Sequence, residues 1–427
     1  MRGERSLTNN KKQIFLNEVT DQIRSKEAKN YVANELNYHL KEAKRIWVEK
    51  GLPEGEAEEK AVEQMGSPTK LGIQMNKLHR PKVDWWLVIL LAVALGLSFL
   101  PMISLGYMES RHFLIFKILI VIVGIAAVAI LMLIDYRKWE KHGWLFYILG
   151  IFLLLILQFP NVVINGLPLF KLGPVTIESM MAVPLFFLAW AAFFNNEKFK
   201  IWQFVLLLCI PMFLFFSLRS IPISYIYFVM VFIMLWWSKF SRKVIITIST
   251  AIVGSIVLAS FLVWQLVQPY QMVRILAFLD PENYADGAGF TILKIQEFLS
   301  KAGWFGSTTS GEFIPEAHTN LVFVSFTYYY GWLFAIVLVA ILSLFVARMV
   351  VILPKVKDSY GRLLLIGGLA LYGVQLVSNI GMALGLFPLT SMSLPFMSYG
   401  LMPTVLNAVI IGVVLSVYRR KDLVCVR

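Results

Sequence analysis

The chain has 427 residues, of which 58% are hydrophobic and 15% charged, and its mean hydropathy is +0.70. Soluble chains are roughly half apolar and about a quarter charged, so this composition excludes a soluble globular protein and a disordered chain. Of the net charge of +13, residues 84–427 carry +9. The basic residues there lie in short segments between apolar runs, which is typical of membrane orientation and not of nucleic-acid binding. The two cysteines, Cys209 and Cys425, give no basis for a disulfide framework.

Residues 1–83 are predicted to form a small, soluble, helical domain on the cytoplasmic side of a membrane. Ser25–Glu49 carries apolar residues near helical spacing, and a second helix is expected at Glu56–Met65. Gly66 is expected to end that helix and Ser67-Pro68 to begin the next. No apolar segment follows the basic start, so no cleaved signal peptide is predicted. Through residues 61–71 this domain resembles the helical prefix domains of some bacterial permeases, and both a solvated appendage and a regulatory docking module are open.

Residues 84–427 are predicted to form an all-α, polytopic membrane domain with ten transmembrane helices. A spanning helix needs about 20 mostly apolar residues. Arg219 and Pro222 divide one apolar run that is too long for a single helix, so the fifth and sixth helices are predicted to form a tight hairpin. The ten segments are approximately 85–105, 112–134, 143–160, 177–195, 201–218, 222–238, 244–268, 321–346, 363–386 and 396–417.

The distribution of basic residues predicts the orientation of these helices. With a cytoplasmic N-terminus, the inner segments after the first helix contain 16 Lys and Arg, whereas the longer outer segments contain six. This asymmetry favours a protein with both termini in the cytoplasm. Lys117 lies within the second helix near its outer end, where its side chain is expected to reach towards the membrane surface.

A long extracytoplasmic loop, 269–320, is predicted between the seventh and eighth helices. Long loops in compact proteins are usually either functional or disordered, so extracytoplasmic chemistry is expected here. Four apolar residues near helical spacing predict an amphipathic helix on the membrane surface: Ile292, Ile295, Phe298 and Leu299. The chain has no phosphate-binding Gly-x4-Gly-Lys-Ser/Thr, no His-Glu-x2-His and no paired Cys-x2-Cys, which gives ATP hydrolysis and zinc chemistry no visible basis.

Two polar or irregular stretches lie where apolar helices begin or end. Glu316, His318 and Asn320 are polar groups at the start of the eighth helix, where their burial is costly unless they have partners or a polar cavity. A helix cap formed by Thr319 or Asn320 is the other reading. Residues 378–400 are interrupted by Pro and Gly, which indicates either irregular backbone beside a polar cavity or ordinary kinking and close packing.

These motifs resemble those of the SEDS family (shape, elongation, division and sporulation), which contains RodA, FtsW and SpoVE. The resemblance covers roughly 85–420. Arg274-Ile-Leu-Ala-Phe…Pro281 looks like the family's Arg-x-x-x-Phe…Pro, and Gly287-Ala-Gly-Phe-Thr291 like its Gly-x-Gly-Tyr-Gln. Ile314-Pro-Glu-Ala-His-Thr319 resembles Leu-Pro-Glu-x-His-Thr-Asp, and Gly385…Pro388…Leu394-Pro-Phe-Met-Ser-Tyr-Gly400 resembles Gly-x-x-Pro…Leu-Pro-x-x-Ser-Tyr-Gly.

The resemblance implies a role in peptidoglycan biosynthesis at the bacterial cell membrane. Family members polymerise a lipid-linked disaccharide-pentapeptide precursor beside a transpeptidase, a class B penicillin-binding protein. In that reaction a sugar hydroxyl attacks an anomeric carbon that bears a lipid diphosphate, a carboxylate acts as general base, and cations or a divalent metal such as Mg or Mn stabilise the leaving group. The resemblance implies catalytic positions at Asn320, Glu316 and His318, and substrate-binding positions at Arg274, Glu178, Asn379, Ser398 and Tyr399.

The chain departs from the family pattern at several polar positions. The family's loop motif ends in an Asp regarded as catalytic, and this chain has Asn320 there. The family's Gln-Pro-Ser-Glu is reduced to Val-Thr-Ile-Glu178, its following Lys is replaced by Met181, and its Gln-Pro-Asp-Leu-Gly-Thr by Arg219-Ser-Ile-Pro-Ile-Ser. Tyr-Gly-Gly-Ser-Ser becomes Tyr399-Gly-Leu-Met-Pro. Glu178 is expected to pair with Arg219 in a structural role.

Three functions are therefore open. A binding or regulatory protein would keep the precursor site without the catalytic Asp. An active glycosyltransferase would use Glu316 as a substitute base, and a transporter would pass a lipid-linked precursor through the helix bundle. Whether the protein is an enzyme is not decided by the sequence.

Overall fold

The computed structural model describes residues 2–105, 111–164, 167–172, 175–266, 269–307, 314–389 and 391–423. The chain divides into two compact units, Met1–Val83 together with Tyr418–Arg427, and Asp84–Val417. The C-terminal tail, which the sequence predicts as part of the membrane domain, instead belongs to the first unit.

The first unit is a bundle of four helices around a small apolar core. Ser25 precedes the second helix, and its hydroxyl accepts a hydrogen bond from Ala28 N. Pro68 occupies the first turn of the fourth helix, as the sequence predicts. Gly66 has a φ of 78°, the left-handed conformation expected of a residue that ends a helix. The helices are α1 (Arg2–Asp21), α2 (Lys26–Glu49), α3 (Glu54–Gln64) and α4 (Pro68–Leu78).

The tail is anchored in this bundle by an ion pair and an apolar contact. Arg420 is fully buried and donates two hydrogen bonds of 2.9 Å, from Nε and Nη2, to the carboxylate of Glu27. Leu423 is 1% exposed and packs in the core of the bundle. Lys82 forms an exposed salt bridge of 2.9 Å with Asp422. Apolar spacing could not predict this, because one arginine and one leucine at a chain end have no periodicity.

The second unit is a bundle of apolar helices, which confirms the predicted polytopic α-helical membrane fold. Each of the ten predicted segments contains a helix, and within the described residues six spans are long and apolar enough to cross a membrane. Since three further apolar helices have only 10–17 residues, the number of crossings stays a prediction. The helices are α5 (Trp85–Leu97), α6 (Leu100–Ser104), α7 (Arg111–Leu133), α8 (Gly143–Ile156), α9 (Ala182–Asn195), α10 (Ile201–Ser217), α11 (Ile221–Leu235), α12 (Arg242–Leu266), α13 (Pro269–Leu279), α14 (Phe290–Lys301), α15 (Val322–Ile352), α16 (Ser359–Ala383) and α17 (Leu401–Arg420).

Residues 162–177 contain an element that the sequence did not predict. Three antiparallel strands, β1 (Val162–Ile164), β2 (Leu167–Leu172) and β3 (Val175–Ile177), pair in the order β1-β2-β3. The register places Val163 opposite Pro168 and Lys171 opposite Thr176. Strands of three to six residues are too short for an alternating pattern to separate them from the ends of the neighbouring apolar helices.

A break in α15 accommodates the loop that precedes it. Gly331 has a φ of 86° inside α15, and a Cβ there would lie 2.3 Å from the carbonyl oxygen of Trp304. The loop closes against the break through hydrogen bonds from Trp332 N to Gly303 O and from Ser307 N to Tyr328 O. The amphipathic helix predicted for this loop is α14, which buries Ile295 and Phe298, and the apolar spacing therefore predicted it correctly.

Candidate functional site

A tight turn before α15 carries the polar residues that the sequence singles out. Glu316 has a φ of 48° and is exposed, and its carbonyl oxygen accepts hydrogen bonds from Thr319 N and Leu321 N. The residue before α15 is Leu321, which offers no side-chain cap. The expectation that Thr319 or Asn320 caps this helix is therefore wrong, because the turn ends one residue later than the apolar pattern indicates.

Two of these polar side chains are bonded to each other. Asn320 Nδ2 donates a hydrogen bond of 2.6 Å to Oε2 of Glu316. Because an amide nitrogen only donates, this contact directs the hydrogen-bearing side of the Asn320 amide at the carboxylate. The arrangement leaves a single negative charge on the pair, and that charge belongs to Glu316.

Asn379 of α16 fastens the turn to the irregular segment that follows this helix. The side chain is completely buried, and its Nδ2 donates to Asn320 O at 2.8 Å and to Met392 O at 2.6 Å. Its Oδ1, like the buried hydroxyl of Ser393, has no hydrogen-bond partner among the described residues. These two buried oxygens keep unused hydrogen-bonding capacity beside the turn.

Ser398 and Tyr399 complete the same connection. The Ser398 hydroxyl donates to Thr319 O at 2.6 Å and accepts from Leu394 N at 2.8 Å. Tyr399 N donates to His318 O at 2.7 Å, and the two rings meet edge to face with centroids 5.7 Å apart. The structure thus brings four of the predicted positions, at 318, 379, 398 and 399, into contact around the Glu316–Asn320 pair.

His318 is half-buried in this site. Burial lowers the pKa of its imidazole below the ordinary value, and the carboxylate of Glu316 opposes that effect. The neutral form of the ring is therefore favoured at neutral pH. A neutral imidazole has one nitrogen that donates a hydrogen bond and one that accepts, so His318 can do either towards a sugar hydroxyl.

Two other predicted positions lie on separate elements. Arg274 belongs to α13, and its side chain lies outside the described residues. Glu178 directly precedes the short helical turn Ser179–Met181, and burial raises the pKa of its carboxyl to about 7. Within the described part of the chain Glu178 forms no ion pair with Arg219, which instead adopts a φ of 55° and is exposed. The expected pairing is wrong, because the two segments meet through the hydroxyls of Ser179 and Ser220, 2.9 Å apart.

An apolar groove of about 290 Å³ lies beside the end of α16. Its walls come from α14, from Phe278 of α13, from Trp332 of α15, and from the end of α16 with the turn that follows it. Among the described residues that line it, the polar side chain is Gln296. Ligand pockets are mostly apolar with a few placed polar groups, and a groove of this kind suits a hydrocarbon chain.

The residues present offer limited support for a resident metal ion. Among the described residues no group of three or more His, Cys, Asp or Glu side chains is arranged to hold one. Glu316 is the carboxylate of the turn at 314–320, and the amide of Asn320 adds no negative charge. Mg²⁺ is often held by one or two carboxylates together with substrate phosphates, so Glu316 fits a metal only when the substrate supplies the remaining oxygens.

Comparison with known proteins identifies the family. Residues 82–423 match the model of the FtsW, RodA and SpoVE proteins, described as "Cell cycle protein". The chain belongs to this family. Its members are the SEDS proteins, and the resemblance inferred from the motifs at 314–319 and 385–400 is confirmed.

Curated SEDS relatives align over most of their length. A "Probable peptidoglycan glycosyltransferase FtsW" of Hydrogenovibrio crunogenus is 28% identical over 75% of this chain and 88% of the relative. The FtsW of Saccharophagus degradans, with the same description, is 22% identical over 73% of this chain and 86% of its own. "Stage V sporulation protein E" of Bacillus subtilis is 27% identical over 70% and 84%.

Solved structures of SEDS proteins share the fold. A chain from a structure described as "Structural coordination of polymerization and crosslinking by a peptidoglycan synthase complex" matches with a TM-score of 0.69 and 25% identity, covering 79% of this chain and 98% of that one. RodA of Thermus thermophilus matches with a TM-score of 0.59 and 21% identity, covering 79% and 97%. The likeness to RodA shows the fold alone.

Lys117 is a charged residue of this SEDS protein that lies beside the site, although the sequence motifs gave it no role there. Lys117 of α7 is 1% exposed, and its Nζ lies 6.0 Å from the centroid of the Tyr399 ring. The expectation that it reaches the membrane surface is wrong, because its position on α7 faces the protein interior. The available signal was a single lysine within an otherwise apolar helix, which is costly to keep without a function.

Proposed function

We propose that this SEDS protein serves peptidoglycan biogenesis at the bacterial cell membrane by binding the lipid-linked disaccharide-pentapeptide precursor in a regulatory, non-catalytic role. The observation that carries this proposal is the hydrogen bond from Asn320 Nδ2 to Glu316 Oε2, 2.6 Å long. Asn320 occupies the position of the family's Asp, and in this structure its amide donates a hydrogen bond where a base would accept a proton. The surrounding turn is nevertheless held by buried hydrogen bonds.

The chemistry of glycan polymerisation explains why this substitution matters. The sugar hydroxyl that attacks the anomeric carbon must lose its proton to a general base as the lipid diphosphate departs. A carboxylate can take that proton and an amide cannot. A chain with Asn320 keeps hydrogen-bonding capacity towards sugar hydroxyls, which supports binding without transfer.

The named site residues take distinct roles in this proposal. Asn379 and Ser398 hold the turn at 316–320 against the segment after α16, while His318 and Tyr399 form a polar and aromatic surface for the sugar rings. Glu178 and Arg274, which lie on separate elements, would contact the peptide or the diphosphate. A divalent cation such as Mg²⁺ or Mn²⁺ would supply positive charge that offsets the charge of the substrate's diphosphate.

The protein would act with a partner and would have a defined orientation in the membrane. The matched chain in the structure described as a peptidoglycan synthase complex supports a class B penicillin-binding protein, a transpeptidase, as the partner. Both termini would be cytoplasmic and the segment 269–320 extracytoplasmic, which agrees with the excess of basic residues in the inner segments. Residues 1–83 would then be a cytoplasmic regulatory domain.

A second candidate function is an active glycosyltransferase that uses Glu316 as its base. Glu316 is exposed and is fixed one helical turn from the family's catalytic position by its bond to Asn320. A carboxylate at that place would act as general base on an acceptor hydroxyl bound within hydrogen-bond distance of it. Polymer formation separates this candidate from the regulatory one.

The test is polymerisation of purified lipid-linked precursor by the unmodified chain and by Asn320→Asp and Glu316→Gln, each with and without the transpeptidase. We expect no polymer from the unmodified chain, with precursor affinity retained by Glu316→Gln. Polymer from the unmodified chain that Glu316→Gln abolishes would contradict the regulatory role. Asn283→Asp is the matched control, because Asn283 also donates from its amide to a carboxylate, that of Asp280, in the same loop. Transport of precursor across sealed vesicles without polymer would contradict both candidates.

A further inference from the structure

Lys117 is a buried cation inside an apolar helix and the turn at 316–320 lies close to it. Lys117 lies six residues after Arg111, the first residue of α7, which places it about 9 Å from the start of α7 along the helix axis. Lys117 is only 1% exposed, whereas the apolar residues on either side of it in the helix, Phe116 and Ile118, are exposed. Within the described part of the chain no carboxylate oxygen lies within 4.0 Å of its Nζ.

The surroundings of Lys117 are aromatic and lead directly to the site. Tyr399 packs against two phenylalanines of α7, the helix that carries Lys117: its ring centroid lies 5.9 Å from that of Phe113 and 6.5 Å from that of Phe116. The ring of Tyr399 also contacts the ring of His318 on the loop. The ammonium of Lys117 therefore lies one aromatic ring away from the turn that carries Glu316.

These contacts do not compensate the burial of the charge. An ammonium within about 6 Å of a ring centroid is attracted to it, so the 6.0 Å contact with Tyr399 lies at the limit of that interaction. A buried charge without a partner is strongly unfavourable, and ionisable residues kept inside membrane helices mark ligand or ion sites. A buried ammonium of this kind is suited to an anionic ligand.

We propose that Lys117 binds the diphosphate of a polyprenyl-linked ligand that enters beside Tyr399. This inference rests on the proposed function, since it names the residue that recognises the charged part of the same ligand. An ammonium donates to phosphate oxygens as a compact point charge, and Tyr399 places that charge beside the surface proposed for the sugars. Lys117 thereby positions the ligand and takes no part in proton transfer.

The experiment measures binding of polyprenyl diphosphate, in detergent micelles, to the full chain and to two variants. Lys117→Met removes the charge with little change in length, and we expect it to weaken binding by about 10- to 100-fold, as loss of a charge-assisted hydrogen bond does. Binding of the uncharged polyprenyl alcohol should not change. Lys171→Met is the matched control, because Lys171 is an exposed lysine on β2, and it should bind both lipids as the unmodified chain does. Equal affinity of Lys117→Met and the unmodified chain for the diphosphate would overturn the inference.

Two further measurements give the inference independent tests. The melting temperature of ligand-free Lys117→Met should equal or exceed that of the unmodified chain, since the variant buries no unpaired charge. A clear decrease would show that the ammonium already has a stabilising partner, which would overturn the inference. Inorganic pyrophosphate should compete with the lipid, whereas vesicles of phosphatidylglycerol should not, and competition by those vesicles alone would overturn the assignment to a diphosphate.

Failure of the proposed function has a different signature. If the disaccharide-pentapeptide precursor binds no more tightly than polyprenyl diphosphate, yet Lys117→Met weakens both, the proposed function fails and the role of Lys117 stands. If the precursor binds tightly and Lys117→Met leaves its affinity unchanged, the proposed function stands and the role of Lys117 fails.

Discussion

Asn320 Nδ2 and Glu316 Oε2 are joined by a hydrogen bond of 2.6 Å in the turn before α15. A carboxylate at position 320 would instead lie in contact with the carboxylate of Glu316. Two carboxylates that close cannot both ionise freely, so one retains a proton to a higher pH than an isolated group does.

Asn320→Asp should therefore give a site whose pair titrates with one apparent pKa raised above the ordinary carboxyl range. If the variant polymerises precursor, its rate should increase with pH through that raised value, because below it the proton shared by the pair occupies the acceptor carboxylate for part of the time. In the double variant Asn320→Asp,Glu316→Gln the rate should increase at a lower pH, since the second carboxylate is absent. Identical profiles for the single and double variants would contradict the contact between the two groups.

Asn379 supports the turn, and its replacement by Leu should destabilise the membrane unit. The substitution leaves the buried carbonyl groups of Asn320 and Met392 without their donor, which costs about 1–3 kcal/mol for an unsatisfied buried group. Thermal unfolding in detergent measures the effect. Ser378→Ala, at the preceding buried position, is the control and should change the melting temperature little.

Gly331 should not tolerate a side chain. Its φ of 86° and the 2.3 Å separation between a built Cβ and Trp304 O predict that Gly331→Ala costs about 1–3 kcal/mol or shifts the loop at 303–307. Gly373→Ala in α16 is a matched control, because a Cβ there meets nothing within 4 Å. A comparable loss of stability in both variants would argue against the close approach of the loop to α15.

The ion pair between Glu27 and Arg420 should stabilise the first unit. Glu27→Gln removes the carboxylate that accepts two hydrogen bonds from the fully buried guanidinium of Arg420, and because Glu27 is partly exposed we expect a loss of about 1–3 kcal/mol. Limited proteolysis of residues 1–83 and of the tail reports this loss. Lys11→Met breaks the exposed pair with Glu59 and should have almost no effect, as is usual for surface ion pairs.

The lowered pKa of His318 predicts how stability depends on pH. An unfolded histidine has a pKa of about 6.5, and the folded protein holds its proton only at a lower pH. As the pH falls below that value the unfolded state binds a proton that the folded state does not, so stability decreases with acidification. The decrease should be smaller in His318→Gln than in the unmodified chain, and His39→Gln, which alters an exposed residue, should not reduce it.

The helices could be predicted from the sequence because an apolar run of sufficient length has few alternatives in a membrane. The start of the fourth helix at Ser67-Pro68 was also predictable, since it depends on neighbouring residues. Contacts between residues that are distant in the sequence could not be predicted. The bond of Arg420 to Glu27 and the burial of Lys117 against Tyr399 depend on which helices meet, and local patterns carry no information on that.

The candidate site could be predicted in part for the same reason. The motifs located Glu316, Asn320, Asn379 and Ser398, and the structure shows that the last two support the turn through backbone carbonyls. The expected pair between Glu178 and Arg219 failed because charge complementarity between two loops does not determine their backbone conformations.

The most direct measurement is the affinity of the purified, unmodified chain for lipid-linked disaccharide-pentapeptide precursor, with polymer assayed in the same sample. We expect saturable binding without polymer, whether or not a transpeptidase is present. Polymer formed by the unmodified chain, or no binding of the precursor at all, would contradict it.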